Sequence, residues 1–325
     1  MDGAYVERMQ DAPEASAVGA QRLFAAREVR RRVSEPRVDL HTHTVVSDGT
    51  LTPTELVHLA ARKGLAAIAL TDHDHLGGLD EARRAAEGRG VEVLAGVELS
   101  VTHDTGADVH LLGYLVDPEE PRLARRLTEF RDVRAARGRL IVEKLRSLGV
   151  DISLDELPDA GSVGRPHIAR ALMEKRIVAS VQEAFEKWLG EGRPAYVPKA
   201  KMEAREAIDL VHGAGGVAVL AHPGLLSEKH RYAVVRELAA LGLDGVEVEH
   251  SRHSSEERRR LRAMAQELSL VETGGSDFHG ENKPDVDLGY GHGGNVHVTY
   301  ATVRALRERA ERRRSPSSRG TTSPS

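Results

Sequence analysis

The 325-residue chain has no cysteine, and aromatic residues make up only 3% of it. Without cysteine there are no disulfides, thiolate metal ligands, cysteine nucleophiles or iron–sulfur clusters; this fits a reducing cytoplasm. Few aromatics leave a core of Ala, Val and Leu and little surface for stacking a run of bases. No apolar run reaches the length of a membrane span, and the N-terminus lacks an apolar secretory segment. A net charge of −4 provides no general basic field, so neither DNA nor a membrane is an expected partner. Any metal must be held by His, Asp and Glu, and 16 histidines make that feasible.

The length suits one large α/β barrel or two ordinary domains. Residues 1–35, ending in "REVRRRVSEPR", read as a flexible or helical extension. Residues 311–325, with the stretch "RRRSPSSRGTTSPS", read as a disordered tail. Between them the apolar runs "RVDLHTH", "LAAIALTDHD", "VEVLAGVELSV", "DVHLLGYLV", "GGVAVLAHP", "LDGVEVEH" and "LSLVETGGSDFH" alternate with helical patterns. This alternation predicts a parallel sheet covered by helices, closed as a barrel or doubly wound. The helix "TPTELVHLAARKG" carries its own start signal, with Thr52 as N-cap, Pro53 at N1 and Glu55 at N3. From 118 to 198 the alternation gives way to a helical insertion, including "GRPHIARALMEKRIVASVQEAFEKWLG" with Ile168, Leu172, Val181, Phe185 and Leu189 at helical spacing. The barrel then spans 36–117 and 199–310, and the insertion is expected to serve substrate binding.

Polar residues gather at the strand ends. "VDLHTHTVVSDGT" places His41 and His43 two residues apart, on one face of a strand. An edge strand with two exposed histidines is the plain alternative. The later runs add Asp72, His73 and Asp74, then Glu98, His110, His222, Glu247, Glu249, His250, Asp277 and His279, with Asp48 in the first loop. In parallel α/β sheets the C-terminal strand ends converge on one face, where active sites lie. So many imidazoles and carboxylates exceed the four to six ligands of one ion. Two or three ions follow, and a thiolate-free N/O set suits Mn²⁺, Fe²⁺ or Zn²⁺ better than Mg²⁺.

"DLHTHTVVSDGT", "LTDHDHLGG", "GVELSV", "HLLGY", "LAHPG" and "GGSDFHG" resemble, in order, the motifs of PHP-domain (polymerase and histidinol phosphatase) metallophosphoesterases from about Val38 to Gly294. Within that family "GRPHIARAL" and "GRPAYVP" are most similar to the 3′,5′-nucleoside bisphosphate phosphatase and 5′→3′ exoribonuclease branch. The resemblance implies a distorted (β/α)7 barrel and a trinuclear centre, with Mn favoured. His41, His43, Glu98 and Asp277 would hold one ion. Glu98 would bridge to a second, completed by His110 and His222, and Asp48, His73 and His279 would hold the third. Asp72 and Asp74 would orient His73 from outside.

A phosphomonoester resists attack because its oxygens are negative and its alkoxide leaves poorly; clustered cations answer both problems. Glu98 is then the catalytic bridge, and His222 or His253 is a candidate proton donor. Arg165, His167 and Arg193, read as lying in Gly/Pro loops rather than on helical faces, are candidates to grip a second phosphate. Lys199 and Lys201 are further ones, and capping or solvated arginines are the plain alternative. The substrate expected is a nucleoside 3′,5′-bisphosphate, with short 5′-phosphorylated RNA as a second. Another phosphomonoester such as histidinol phosphate, or a noncatalytic metal-binding module, are the competing readings.

Overall fold

The computed structural model describes residues 35–103, 108–157 and 163–315. The N-terminal extension, bar Glu35, and the tail from 316 lie outside the described residues. Seven strands occupy the seven apolar runs: β1 (Val38–Thr42), β2 (Ala67–Leu70), β3 (Glu92–Thr102), β4 (Asp108–Tyr114), β5 (Val217–Leu220), β6 (Gly245–His250) and β7 (Val271–Gly275). They neighbour one another in chain order. A two-residue strand, Met202–Glu203, pairs in parallel with β3. Just past β7 the chain closes on β1: Asp277 N donates to His41 O at 2.9 Å, His43 N donates to Phe278 O at 2.9 Å, and Thr42 bridges Phe278 in parallel.

The sheet is not wholly parallel. β4 runs antiparallel to both neighbours, with Glu98 opposite Leu112 and Leu112 opposite Val219. The reason is chain length. Thr102 pairs with Asp108, and the residues between them are too few for the crossover of a dozen or more that parallel neighbours need. The reversal brings the N-terminal end of β4, and so His110, to the rim where the other strands present their C-terminal ends.

Alternation along the strands separates two layers. Leu40, Leu94, Leu112, Tyr114, Val217 and Val219 fill the inside, where the Tyr114 hydroxyl donates to Leu40 O at 2.8 Å. Val97, Leu99 and Val101 face the covering helices. Leu94, Gly96 and Glu98 share a face of β3, and Tyr114, Leu112 and His110 share one of β4. Each inner row thus begins apolar and ends in a polar group at the same rim.

The helix signals hold locally. α1 (Pro53–Arg62) has the Thr52–Glu55 capping box. α2 (Leu79–Ala86) follows β2, and α3 (Pro121–Ser147) opens the insertion. Leu123, Leu127 and Phe130 of α3 belong to the barrel's outer core, whereas Ile141, Val142 and Leu145 join a separate insertion core. α4 (Arg165–Glu174), a short helix Val181–Ala184 and a π-helical turn Phe185–Leu189 complete the insertion. α5 (Ala204–Gly213), α6 (Glu228–Ala240), α7 (Ser255–Glu267) and α8 (Tyr300–Arg314) cover the second half. α8 runs beyond 310 into the segment read as tail, because Arg314 donates to Gly215 O and Arg313 pairs with the buried Asp244.

The closing seam is tight. A Cβ on Gly275 would lie 2.3 Å from both N and Cβ of His41. Gly275→Ala should therefore lower the unfolding free energy by about 1–3 kcal/mol, read from urea denaturation. Unchanged stability would show that β7 and β1 can separate without penalty.

Candidate metal centre

Glu98 stands at the hub of the rim and is 1% exposed. Its Oε1 lies 2.7 Å from His110 Nδ1 and 2.9 Å from His222 Nε2. Its Oε2 lies 3.3 Å from His41 Nε2, 3.1 Å from His43 Nε2 and 3.3 Å from His73 Nδ1. Three backbone features set this hub. β3 exchanges Asp74 N to Glu98 O (2.9 Å) and Glu98 N to Asp72 O (3.3 Å) with the end of β2. His41 and His43 project side by side from β1, with ring centroids 5.2 Å apart. His222 is held by its N–H donating to Glu247 Oε2 at 2.7 Å.

A second focus forms around Asp48. His43 Nδ1 and His279 Nε2 lie 3.4 and 3.3 Å from Asp48 Oδ1, and His73 Nε2 lies 3.7 Å from Oδ2. His43 and His279 stack at 4.0 Å. His43, grouped with His41 by the resemblance, thus faces both Glu98 and the Asp48 group. Ligand atoms of His43, Asp48, His73 and His279 all fall within 4.8 Å of one another, as do those of His41, Glu98 and His222, of His73, Glu98 and His110, and of His41, His250 and Asp277. The last group contains His250, one of the strand-end histidines that the resemblance left outside the ion-binding set.

The donor set fits divalent cations. The buried nitrogens His41 Nε2, His43 Nε2, His73 Nδ1 and His110 Nε2 make no hydrogen bond. Such an orphan costs roughly 1–3 kcal/mol, which coordination of an ion would offset. Burial and the carboxylates pull the histidines in opposite directions. Burial opposes charge on His41, but Glu247, Glu98 and Asp277 outweigh it and hold its pKa well above the usual value. At His43 burial is likewise overcome by Asp48 and Glu98, lifting the pKa to about 9. At His73 burial prevails over Glu98 and Asp48, and the pKa falls well below its usual value. Burial would raise the pKa of Glu98, Asp48 and Asp277, yet neighbouring histidines, together with Lys283 at Asp277, keep all three well below the carboxylate range.

Outer groups aim these donors. Glu247 Oε1 lies 3.0 Å from His41 Nδ1, leaving Nε2 to the cluster. Asp277 Oδ1 faces His41, His43 and His279, while its Oδ2 is taken by Lys283 Nζ at 2.5 Å and His250 Nε2 at 3.4 Å. Asp72 and Asp74 do not touch the His73 ring. Asp72 instead accepts from Thr44 N, Thr44 Oγ1 and Ser47 Oγ, and Asp74 from Ser100 N and Oγ. They fix the flanking loop and strand, and so His73 through its backbone. Asp74, His222 and Asp277 adopt positive φ (52°, 28° and 59°), conformations costing about 1–3 kcal/mol each and concentrated at functional sites.

Several candidates fall elsewhere. Arg165 and His167 lie on the first turn of α4, not in a loop, since Pro166 can occupy the opening turn of a helix. His167 is buried and its Nδ1 accepts from Gly164 N at 3.1 Å, a cap. The Arg165 guanidinium donates to Leu189 O at 3.4 Å and lies 5.4 and 5.9 Å from the Phe185 and Tyr196 rings. Arg193 is exposed in the turn that follows. His253 is buried between Val248 O (2.9 Å from Nδ1) and Gly224 N, which donates to Nε2 at 2.9 Å. Burial and the neighbouring His250 depress its pKa to about 4, and both ring nitrogens are engaged. Lys283 and Asn282, which line the cavity beside the cluster, were missed. In sequence, "GENKP" reads as a solvated turn.

A family model described as the PHP domain matches residues 39–189. A 3′,5′-nucleoside bisphosphate phosphatase from Chromobacterium violaceum is 36% identical over 259 residues, 78% of this chain and 90% of that protein. A 5′-3′ exoribonuclease from Haemophilus influenzae is 36% identical over 248 residues, 75% of this chain and 90% of that one. Among solved structures, a Bifidobacterium adolescentis protein described as a metal-dependent phosphoesterase matches with a TM-score of 0.75 and 36% identity, covering 84% of this chain and 96% of that one.

Because Glu247 orients His41, Glu247→Gln should weaken metal retention about 10- to 100-fold, measured by titrating Mn²⁺ into metal-free protein. Unaltered affinity in a folded variant would show that His41 needs no outer carboxylate.

Proposed function

The chain belongs to the PHP domain family and is a metal-dependent phosphoesterase, and on that premise we propose that it removes the 3′-phosphate of nucleoside 3′,5′-bisphosphates. Adenosine 3′,5′-bisphosphate would give AMP and phosphate, and short 5′-phosphorylated RNA would be trimmed from its 5′ end by the same hydrolysis. The observation that carries this reading is a single cavity of about 290 Å³ in which Asp48, His73, Glu98, His110 and His222 share the wall with Pro166, Val181 and Phe185 of the insertion. The names of the two curated relatives support the substrate class. The cysteine-free chain suits a cytoplasmic setting.

We assign His41, His43, Asp48, His73, Glu98, His110, His222, Asp277 and His279 as ligands of two to three divalent ions, Mn²⁺ being best matched to the mixed nitrogen and oxygen set. Bound there, such ions supply positive charge to the phosphoryl oxygens, activate water and stabilise the leaving oxygen. The chain's own groups keep that set in place: Glu98 presents one oxygen to each half of the cluster, and Lys283 and His250 pin Asp277. Lys283 also puts a cation on the cavity wall, where it suits a phosphoryl group. His222, on that wall, stays a candidate to approach the leaving oxygen.

For the second phosphate, Arg193 is exposed, and Lys199 is close enough that its charge adds to burial in holding down the pKa of His73 and His110. The bisphosphate should therefore be a much better substrate than AMP, since the remote phosphate contributes positioning energy. Arg193→Ala or Lys199→Ala should raise KM for the bisphosphate about 10-fold or more, the loss of a charged hydrogen bond, with less effect on a monophosphate. Equal turnover of AMP and bisphosphate, insensitive to both variants, would refute the second-phosphate site.

A further inference from the structure

We propose that Phe185 and Leu225 form the platform that receives the base of the substrate, an inference that rests on the nucleotide reading above. The cavity has two unlike walls. One is the imidazole and carboxylate rim; the other is Pro166, Val181, Phe185 and Leu225. A sugar phosphate without a base offers less apolar area to such a wall. A nucleobase has an apolar π-face, and stacking on an aromatic ring is tolerant of base identity. Because both walls belong to one cavity, a single molecule can lie against the apolar wall and reach the rim with its phosphate. A volume of about 290 Å³ sits at the lower end of ligand pockets, roughly 300 Å³, which suits one nucleoside at a time.

Both residues are placed rigidly. Leu225 lies on a 3₁₀ turn, Pro223–Leu225, that begins at His222, and its N–H donates to His222 O at 2.9 Å. It is nevertheless 56% exposed, an apolar side chain kept in solvent beside the rim. Phe185 opens the π-helical turn, with Gly190 N donating to Phe185 O at 2.8 Å; single π-turns are frequent at functional sites. The Arg165 guanidinium lies over the ring at 5.4 Å, so this arginine buttresses the platform. Phe185 is also packed against the insertion core, which couples that module to specificity.

The test compares metal-replete, full-length protein on adenosine 3′,5′-bisphosphate and on abasic 1-deoxyribose 3′,5′-bisphosphate. Wild type should prefer the nucleotide in kcat/KM by about 10-fold or more, the range of one base stacked on an aromatic ring. Phe185→Ala should collapse most of that preference through KM, Leu225→Ala part of it, and Phe185→Tyr should retain it. Exposed Leu225 keeps the test valid if Phe185→Ala fails to fold. Two results would overturn the platform and leave the phosphatase reading standing: equal use of both substrates by wild type, or an unchanged preference in the Ala variants. Phe185→Tyr as impaired as Phe185→Ala would do the same, marking a packing role. Turnover of neither substrate would overturn both readings.

Discussion

A carboxylate buried as deeply as Glu98 is tolerable only if it is compensated on both oxygens, and the barrel's irregularities serve that end. Oε1 meets the imidazoles of β4 and the loop after β5, while Oε2 meets those of β1 and the loop after β2. To deliver them, β3 pairs in parallel with β2 at its start and antiparallel with β4 over its second half. The reversed β4 brings its N-terminal histidine to the rim. The sheet thus departs from a regular parallel barrel at β4, next to the strand that carries the hub.

Holding histidines and carboxylates together without collapse takes a second tier of polar ties. Asp39, wholly buried, accepts from Ser276 N (2.8 Å), Gly289 N (2.6 Å) and His41 N (3.3 Å), tying β1 to the chain after β7. Asp72 ties the loop after β1 to the end of β2, and Asp74 ties the end of β2 to β3. Glu247 serves His41 through its ring and His222 through its backbone. These contacts offset the positive-φ backbone at Asp74, His222 and Asp277, and they make the rim a fixed scaffold able to accept ions with little rearrangement.

Much of this was legible in sequence because it depends on local periods. Alternation located the strands, and the loss of apolar character at their ends located the rim. Contacts that depend on long-range pairing were not legible. Glu247 meets His41 across 206 residues, and nothing local in "VEVEH" separates it from Glu249, which faces Arg262 on the surface. The short link between β3 and β4 could have announced the reversal, but the alternation elsewhere argued for parallel strands. Arg165 and His167 were misplaced because Gly-Arg-Pro looks like a loop, whereas proline also opens helices. Nor could the sequence show that both ring nitrogens of His253 are engaged.

The proposed ion set depends above all on Glu98 serving both halves of the cluster, one oxygen to each. Calorimetric titration of Mn²⁺ into metal-free wild type and Glu98→Gln, both checked for native circular dichroism, tests it most directly. Wild type should show two to three sites and Glu98→Gln should lose more than one, because the two oxygens serve different halves of the cluster. A folded Glu98→Gln that binds the wild-type number of ions with wild-type affinity would contradict this dependence on Glu98.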